Sequence, residues 1–270
     1  MKRAGLISLV LCLTGASYAQ GWEGIPGASA SGMGIVGTAL QNTWAASVNP
    51  AALSGIDNYS IGVYYTDRFR VSDLSTKNVS AVLPVGRGAF GASFSYFGQA
   101  MYNEQRYSVA YGLPLYQQIH AGVSLDYCSL NQGGGYGSAS AVTFGIGLQC
   151  LLNQNLVLGV NAFNPLRVTF GSETSAQIPA VFSAGLMGMI TNSLRCGFEI
   201  QQDWDTSPKL KTGFEYDIQK WMFIRGGVAI NPGIWSAGAG FLWKEMCLDI
   251  SSSWHPQLGV SSAVSMCYSF

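Results

Sequence analysis

Residues 258–270 read LGVSSAVSMCYSF, and large and small side chains alternate along this stretch. One face of an extended chain would carry the large apolar residues, Leu258, Val260, Val264, Met266, Tyr268 and Phe270. The other face would carry glycine, serine, alanine and cysteine. A period of two is typical of a β-strand whose two faces meet different environments. We therefore predict a strand here, and we interpret the aromatic Phe270 on its apolar face as a membrane-assembly signal.

The same period recurs along the chain from residue 58 onward, for example in 119–128 and 208–218. It predicts fourteen strands, most of them near the ~9–11 residues that a tilted membrane strand needs. The predicted strands are 59–69, 78–85, 89–100, 105–115, 119–130, 138–151, 156–164, 180–190, 194–203, 208–218, 221–231, 234–243, 245–254 and 257–270.

The connections between these strands alternate in length. Tight turns, such as 153–155 and 191–193, alternate with longer links at 71–77, 131–137 and 166–179. Short turns on one side and longer loops on the other, over an even number of strands, are typical of an outer-membrane barrel. Tryptophans fall at the predicted strand ends, where interfacial aromatic residues are expected: Trp204, Trp221, Trp235, Trp243 and Trp254. The prediction is an all-β protein, an antiparallel transmembrane β-barrel of about fourteen strands, in the bacterial outer membrane.

Composition supports this fold class. Only 10% of the 270 residues are charged, against about 25% in ordinary soluble domains. A secreted β-sandwich or propeller, the competing architecture, would need a more charged exterior. The formal net charge is zero, which argues against a nucleic-acid-binding protein, since such a protein would show a basic stripe. The expected environment is therefore outer-membrane lipid.

The residues before the barrel divide into two parts. Residues 1–19 resemble an export signal, with a basic start, a short apolar run and small residues before the cleavage site. Residues 20–57 are rich in small residues, and we predict a plug segment with a short helix, leaving 58–270 as the barrel. Asn49 would cap that helix, Pro50 would occupy its first position and Leu53 lies within it. The alternative is a flexible periplasmic tail.

The face opposite the apolar one would carry the polar chemistry into the lumen. Its charged and titratable residues are Arg106, His120, Asp126, Arg195, Glu199, Lys211, Glu215, Asp217, Arg225 and Asp249. Directly opposed residues of antiparallel strands have a constant number sum, and Arg195 with Glu215 and Glu199 with Lys211 both give 410. A register with sum 440 pairs Glu215 with Arg225, which would place Glu215 between two arginines.

We name six of these residues the charge ladder: Arg195, Glu199, Lys211, Glu215, Arg225 and Asp249. It would serve either as structural support for wall and plug, or as a contact for the plug or for a ligand's headgroup. The other inward positions are rich in Gly, Ser and Ala, which leaves space for water or for a plug.

The residues that could support catalysis or hold a metal are few and scattered. The two histidines, His120 and His255, lack a nucleophile at a suitable position, so we expect no enzyme. The five cysteines after the predicted leader show no metal-ligand spacing, and we interpret each as a small filler within a strand. The alternative is a disulfide bridge, since an exported chain meets oxidising conditions. No metal and no cofactor are expected.

Short motifs near the two ends of the chain occur in an order that resembles one known superfamily. They occupy residues 32–39, 49–53, 213–216, 225–227, 248–249, 255, 258–259 and 268–270. In this order they resemble the FadL-type superfamily, and within it the PorV/PorQ-like outer-membrane proteins of Bacteroidetes.

The resemblance implies a fourteen-stranded barrel with an N-terminal plug, and it leaves two roles open. One is an accessory role in type IX protein secretion or the cell envelope, with a protein partner. The other is a FadL-like conduit that transports hydrophobic small molecules across the outer membrane. The first is our main expectation and the second the alternative.

Overall fold

The computed structural model describes residues 22, 24–134, 137–171, 177–204 and 206–270. Fourteen strands occur in this part of the chain, and each pairs antiparallel with its neighbours in sequence. They are β1 Ser60–Asp67, β2 Ser75–Val85, β3 Gly88–Gln99, β4 Tyr102–Pro114, β5 Ile119–Gln132, β6 Gly137–Asn153, β7 Leu156–Phe163, β8 Val181–Thr191, β9 Leu194–Asp203, β10 Lys209–Gln219, β11 Met222–Ile230, β12 Ile234–Trp243, β13 Met246–His255 and β14 Gly259–Ser269. β1 also pairs with β14 and closes the barrel. The predicted all-β, fourteen-stranded antiparallel barrel is confirmed.

The alternation seen in the sequence separates the two faces of the wall. In β14 the side chains of Val264, Met266 and Tyr268 are exposed on the outside, whereas Ser265 between them is buried inside. The same order holds in β5, where Val123 and Leu125 are exposed and polar or small residues face inward. An apolar exterior on strands whose backbone groups all pair around a closed ring is suited to lipid.

The two ends of the barrel differ in their connections. We call the end where β1 begins and β14 finishes the terminus end, and the opposite end the loop end. At the terminus end the turns between strands hold two to four residues, whereas the loop end carries the long link 164–180. Exposed tryptophans lie at both ends: Trp221 and Trp243 at the terminus end, and Trp204, Trp235 and Trp254 at the loop end. Such positions fit interfacial aromatic belts.

The structure differs from the sequence prediction at the starts of two strands, and β4 begins at Tyr102, three residues before the predicted 105. β2 begins at Ser75, three residues before the predicted 78, and two 3₁₀ turns, Arg68–Arg70 and Ser72–Leu74, occupy the link before it. The predicted leader, 1–19, lies outside the described residues. Phe270 follows β14 with its N–H bonded to the carbonyl of Tyr59, and its assembly role stays a prediction.

Residues 24–57, which we call the N-terminal segment, lie inside the barrel. They form α1 Gly27–Gly32, α2 Ala45–Val48 and a 3₁₀ helix, Pro50–Gly55. α1 contacts β11 to β14, and the 3₁₀ helix contacts β3 to β6, so the segment reaches across the lumen. No helix in the described residues is long and apolar enough to cross a membrane.

Candidate functional site

The lumen is where this chain concentrates its buried polar groups, and the N-terminal segment occupies its middle. The 3₁₀ helix begins as the sequence predicts: the Asn49 side chain accepts a hydrogen bond from the N–H of Ala51, and Pro50 takes the first position. Leu53 is fully buried against small wall residues that include Ala89 and Ala110. These three predicted plug residues therefore lie together against the inner wall, and their role as a plug stays a proposal.

Glycines of the wall allow this close approach. Gly112, Gly122 and Gly147 are directly opposed on β4, β5 and β6, so they form a row on the inner face. A Cβ atom at Gly122 would collide with the backbone of Pro50 and Ala51. The inward glycines thus leave room for the segment's backbone.

A second glycine row lies across the barrel. Gly197, Gly213 and Gly227 are directly opposed on β9, β10 and β11. A Cβ at Gly213 or Gly227 would collide with the backbone at Met33. The segment therefore packs on bare wall backbone at two places, and side chains larger than hydrogen are excluded there.

Glu199 fastens the segment to the wall. Its Oε2 accepts hydrogen bonds from the backbone N–H groups of Gly37 and Thr38, both at 2.8 Å. Its Oε1 accepts from Lys211 Nζ at 2.9 Å. The side chains of Glu199 and Lys211 are both buried. The carboxylate therefore neutralises a buried cation and supplies the acceptor for two backbone N–H groups that have no water to bond.

Further hydrogen bonds join the segment to strands around the ring. Ser80 Oγ donates to the carbonyl of Thr43, and the N–H of Ala28 donates to Ser265 Oγ. His120 Nδ1 lies 2.5 Å from Ser54 Oγ, which joins β5 to the 3₁₀ helix. Contacts on so many strands hold the segment in one position relative to the wall.

The remaining members of the charge ladder lie at the terminus end, in the predicted register. Glu215 stands opposite Arg195 on one side and Arg225 on the other, with ion-pair distances of 2.7 Å and 2.6 Å. Arg225 Nη1 also donates to Asp249 Oδ1 at 2.7 Å. The six predicted residues thus form two groups: Glu199 with Lys211, and Arg195, Glu215, Arg225 and Asp249 together.

The pair between Arg225 and Asp249 spans a strand between them. Gly240 on β12 is directly opposite Asp249, and a Cβ atom there would lie 2.5 Å from Asp249 Oδ1 and 2.6 Å from Arg225 Nη1. Number sums identify only adjacent strands, so they miss this contact. The signal in the sequence is Gly240. As an inward position without a side chain, it leaves room for Arg225 and Asp249 to meet across β12.

Arg106 and Asp126, also predicted to face the lumen, form a third buried group. Arg106 Nε donates to Asp126 Oδ1 at 2.9 Å, and its Nη1 donates to the carbonyl of Trp22 at 3.0 Å. Ser108 and Ser124 also donate to the Asp126 carboxylate. This group ties the beginning of the described chain to β4 and β5.

Two cavities lie on opposite sides of the N-terminal segment. The loop-end cavity has a volume of about 160 Å³; its lining is largely apolar and includes Ile25, Ile35, Phe69 and Ile234, together with the cationic Arg68, Lys209 and Lys211. The terminus-end cavity has a volume of about 620 Å³ and contains the Arg195, Glu215, Arg225 and Asp249 group.

The segment lies between these two spaces. Ser31 of α1 lines the loop-end cavity, and Ser29 of the same helix lines the terminus-end cavity. On the wall, Lys211 and Glu215 line opposite cavities, while Gly213 between them contacts Met33. The partition is thus about one helix thick.

The wall itself is continuous at the two prolines that lie within its described strands. Pro84 pairs with Ala89, and Pro114 pairs with His120, without a change of register. The register shifts among the described strands lie at the terminus-end turns, for example between Asp217 and Gln219. The described wall therefore has no lateral gap at these two prolines.

The second histidine belongs to a turn. His255 Nδ1 accepts hydrogen bonds from the N–H groups of Gln257 and Leu258, and its ring packs edge-on against Phe69. Among the described residues, no group of three or more His, Cys, Asp or Glu side chains is arranged to hold a metal ion.

Comparison with known proteins identifies the fold. The chain matches no family model and no curated protein. Solved structures do match: a Ralstonia pickettii toluene transporter, TbuX, has a TM-score of 0.70 and 14% identity over 92% of this chain and 99% of that one. A Pseudomonas aeruginosa FadL homologue has a TM-score of 0.70 and 13% identity, over 90% of this chain and 98% of the other.

A third match is the Pseudomonas putida toluene transporter TodX, with a TM-score of 0.68 and 13% identity over 92% of this chain and 99% of that one. At such low identities the likeness is one of fold. The chain has the fourteen-stranded barrel architecture that these transporters share. The specific resemblance to PorV/PorQ-like proteins, and an origin in Bacteroidetes, gain no support from these comparisons.

Proposed function

We propose that this protein is an outer-membrane conduit for small hydrophobic molecules and that its N-terminal segment is the plug. This is the alternative of the two roles considered from the sequence. The observation that carries it is the pair of cavities on either side of the segment, one with a mainly apolar lining and one that contains the charged Arg195, Glu215, Arg225 and Asp249 group. The likeness in fold to toluene transporters and a FadL homologue supports the same direction.

The loop-end cavity favours molecules of monoaromatic size. Its volume of about 160 Å³ is close to the roughly 150 Å³ of an apolar engineered cavity that binds benzene. Ile25, Ile35, Phe69 and Ile234 would bury the apolar body of the ligand. A molecule would then pass the plug and leave through the wider, charged cavity, where an apolar ligand binds weakly.

The test is uptake of radiolabelled toluene by cells whose outer membrane lacks other hydrophobic-compound transporters. Expression of this protein should increase uptake several-fold. Ile234→Trp, which fills the loop-end cavity, should remove most of that gain. Ile230→Trp is the matched control, because Ile230 lies on the same hairpin but is exposed on the outer face. Equal uptake with and without the protein would exclude the conduit.

An accessory role in type IX secretion, implied by the PorV/PorQ-like resemblance, would instead need a stable protein partner. Neither the structure nor the comparisons add an observation in its favour. Native mass spectrometry of the protein, gently extracted from its own membrane, separates the two roles. A retained small apolar mass supports the conduit, and a stoichiometric protein mass supports the accessory role.

A further inference from the structure

Two cysteines that are far apart in sequence meet in the lumen. Cys247 on β13 and Cys267 on β14 are directly opposed partners, and both line the terminus-end cavity. Both thiols are free in the structure. The sequence interpretation of the cysteines as separate fillers therefore misses this juxtaposition, which arises because the 256–258 turn folds β14 back along β13.

The backbone geometry suits a bond between them. Directly opposed residues of antiparallel strands have Cα atoms about 4.5–5.5 Å apart, within the roughly 4.4–6.8 Å range of disulfides. Both side chains project to the same, inward face, and both are partly exposed to the cavity. The other described cysteines, Cys128, Cys150 and Cys196, have no cysteine as a cross-strand partner.

The pair also contacts groups that matter for the plug. The Cys247 thiol lies 3.6 Å from Asp249 Oδ2, within the charged group. Cys267 and Thr43 of the N-terminal segment line the same cavity. Cys267 and Trp44 approach Gly62 from the same side, since a Cβ atom there would lie 3.0 Å from each of them. A change at the Cys267 sulfur would therefore alter the surroundings of Trp44 in the N-terminal segment.

We propose that Cys247 and Cys267 are a modification site, at which a disulfide-carrying oxidant forms an intrachain disulfide. One thiol loses its proton and attacks the oxidant's disulfide, which releases one thiolate and leaves a mixed disulfide. The second cysteine, also deprotonated, displaces the remaining half of the oxidant. The two protons go to the two released thiolates, so the protein is oxidised by two electrons and the oxidant is reduced to two thiols.

The bond would tie β13 to β14, the strand that closes the barrel on β1, and would remove the free Cys267 thiol that lies near Trp44 of the N-terminal segment. The terminus-end cavity would thereby respond to the redox state of its surroundings. This inference is independent of the transported molecule.

The experiment uses the full protein, reduced with dithiothreitol, purified and then exposed to oxidised glutathione. Remaining thiols are blocked with iodoacetamide, and the protein is digested with trypsin. The chain has no Lys or Arg after Lys244, so both cysteines fall on one peptide, residues 245–270. We expect this peptide to be two hydrogen atoms lighter than its reduced form and to carry no blocking group. Blockable cysteines among residues 24–270 should fall from five to three.

Cleavage before Asp249 then separates the two cysteines and should yield two fragments that stay linked until reduced. Cys196→Ser, which removes a cysteine without a cysteine partner, should leave this result unchanged. In Cys247→Ser, Cys267 should be recovered blocked or as a glutathione adduct. The proposal is overturned if both cysteines of the unaltered protein are blocked by iodoacetamide, or if each carries a separate glutathione.

Discussion

Glu199 connects wall and N-terminal segment through one carboxylate, and its substitution by Gln tests that connection. Glu199→Gln keeps the shape but removes the charge that Lys211 and the N–H groups of Gly37 and Thr38 share. Losing charge-assisted hydrogen bonds costs about 2 kcal/mol, which is roughly a thirtyfold change in an opening equilibrium. Hydrogen exchange at the Gly37 and Thr38 amides should accelerate by about that factor.

Glu215→Gln is the matched control for that measurement. Its partners, Arg195 and Arg225, belong to the wall, so this variant should lower the thermal unfolding temperature while leaving exchange at Gly37 and Thr38 unchanged. Equal exchange in both variants would contradict the anchoring role of Glu199. An unchanged unfolding temperature in Glu215→Gln would contradict the structural role of the terminus-end charges.

At the scale of single residues, the sequence predicts contacts between neighbouring strands and few others. The register of Glu199 with Lys211, and of Glu215 with two arginines, follows from number sums because pairing in a meander is local. The bonds from Glu199 to Gly37 and Thr38 depend on the path of an irregular segment across the lumen. That path has no period, so the sequence does not predict which wall residue it meets.

Among the elements, the strands are predictable and the segment's helices are less so. Predicted and observed strands agree closely because each strand has an apolar face toward lipid and a small or polar face inward. β2 and β4 are the exceptions, since each begins three residues before its predicted start. The first residues of β2, Ser75, Thr76 and Lys77, carry no large apolar side chain to mark a strand. The 3₁₀ helix is marked by Asn49 and Pro50, whereas α2, four residues long, lacks a side-chain cap.

The glycine row on β9 to β11 makes an element-scale prediction. Gly213→Val should keep the barrel, because valine favours strands, but its side chain would occupy the place of the Met33 backbone. The segment should then detach, and chymotrypsin should cleave it near Trp44 and Leu53, which are buried in the native protein.

Ala237→Val provides the control, since Ala237 lies on the outer face of the nearby β12. That variant should resist chymotrypsin as the native protein does. Resistance in Gly213→Val as well would mean that the segment does not rely on close contact with this row.

For the whole molecule, barrel width and plug have to be considered together. Small barrels of about eight strands are filled by their own side chains, whereas barrels of about sixteen strands or more leave an aqueous channel. Fourteen strands with two rows of inward glycine leave a lumen too wide for its own side chains to fill. The N-terminal segment lies in that volume, where hydrogen bonds join it to β2, β5, β9 and β14.

Removing the segment should therefore convert the protein into an open pore. In planar lipid bilayers the intact protein should show little ion conductance, and a deletion of residues 24–57 should conduct at least tenfold more, since water and ions would fill the space between the two cavities. If the deletion variant fails to insert, Gly213→Val offers the same test with a full-length chain. High conductance of the intact protein would contradict the plug, because a segment that closes the lumen also blocks the passage of ions.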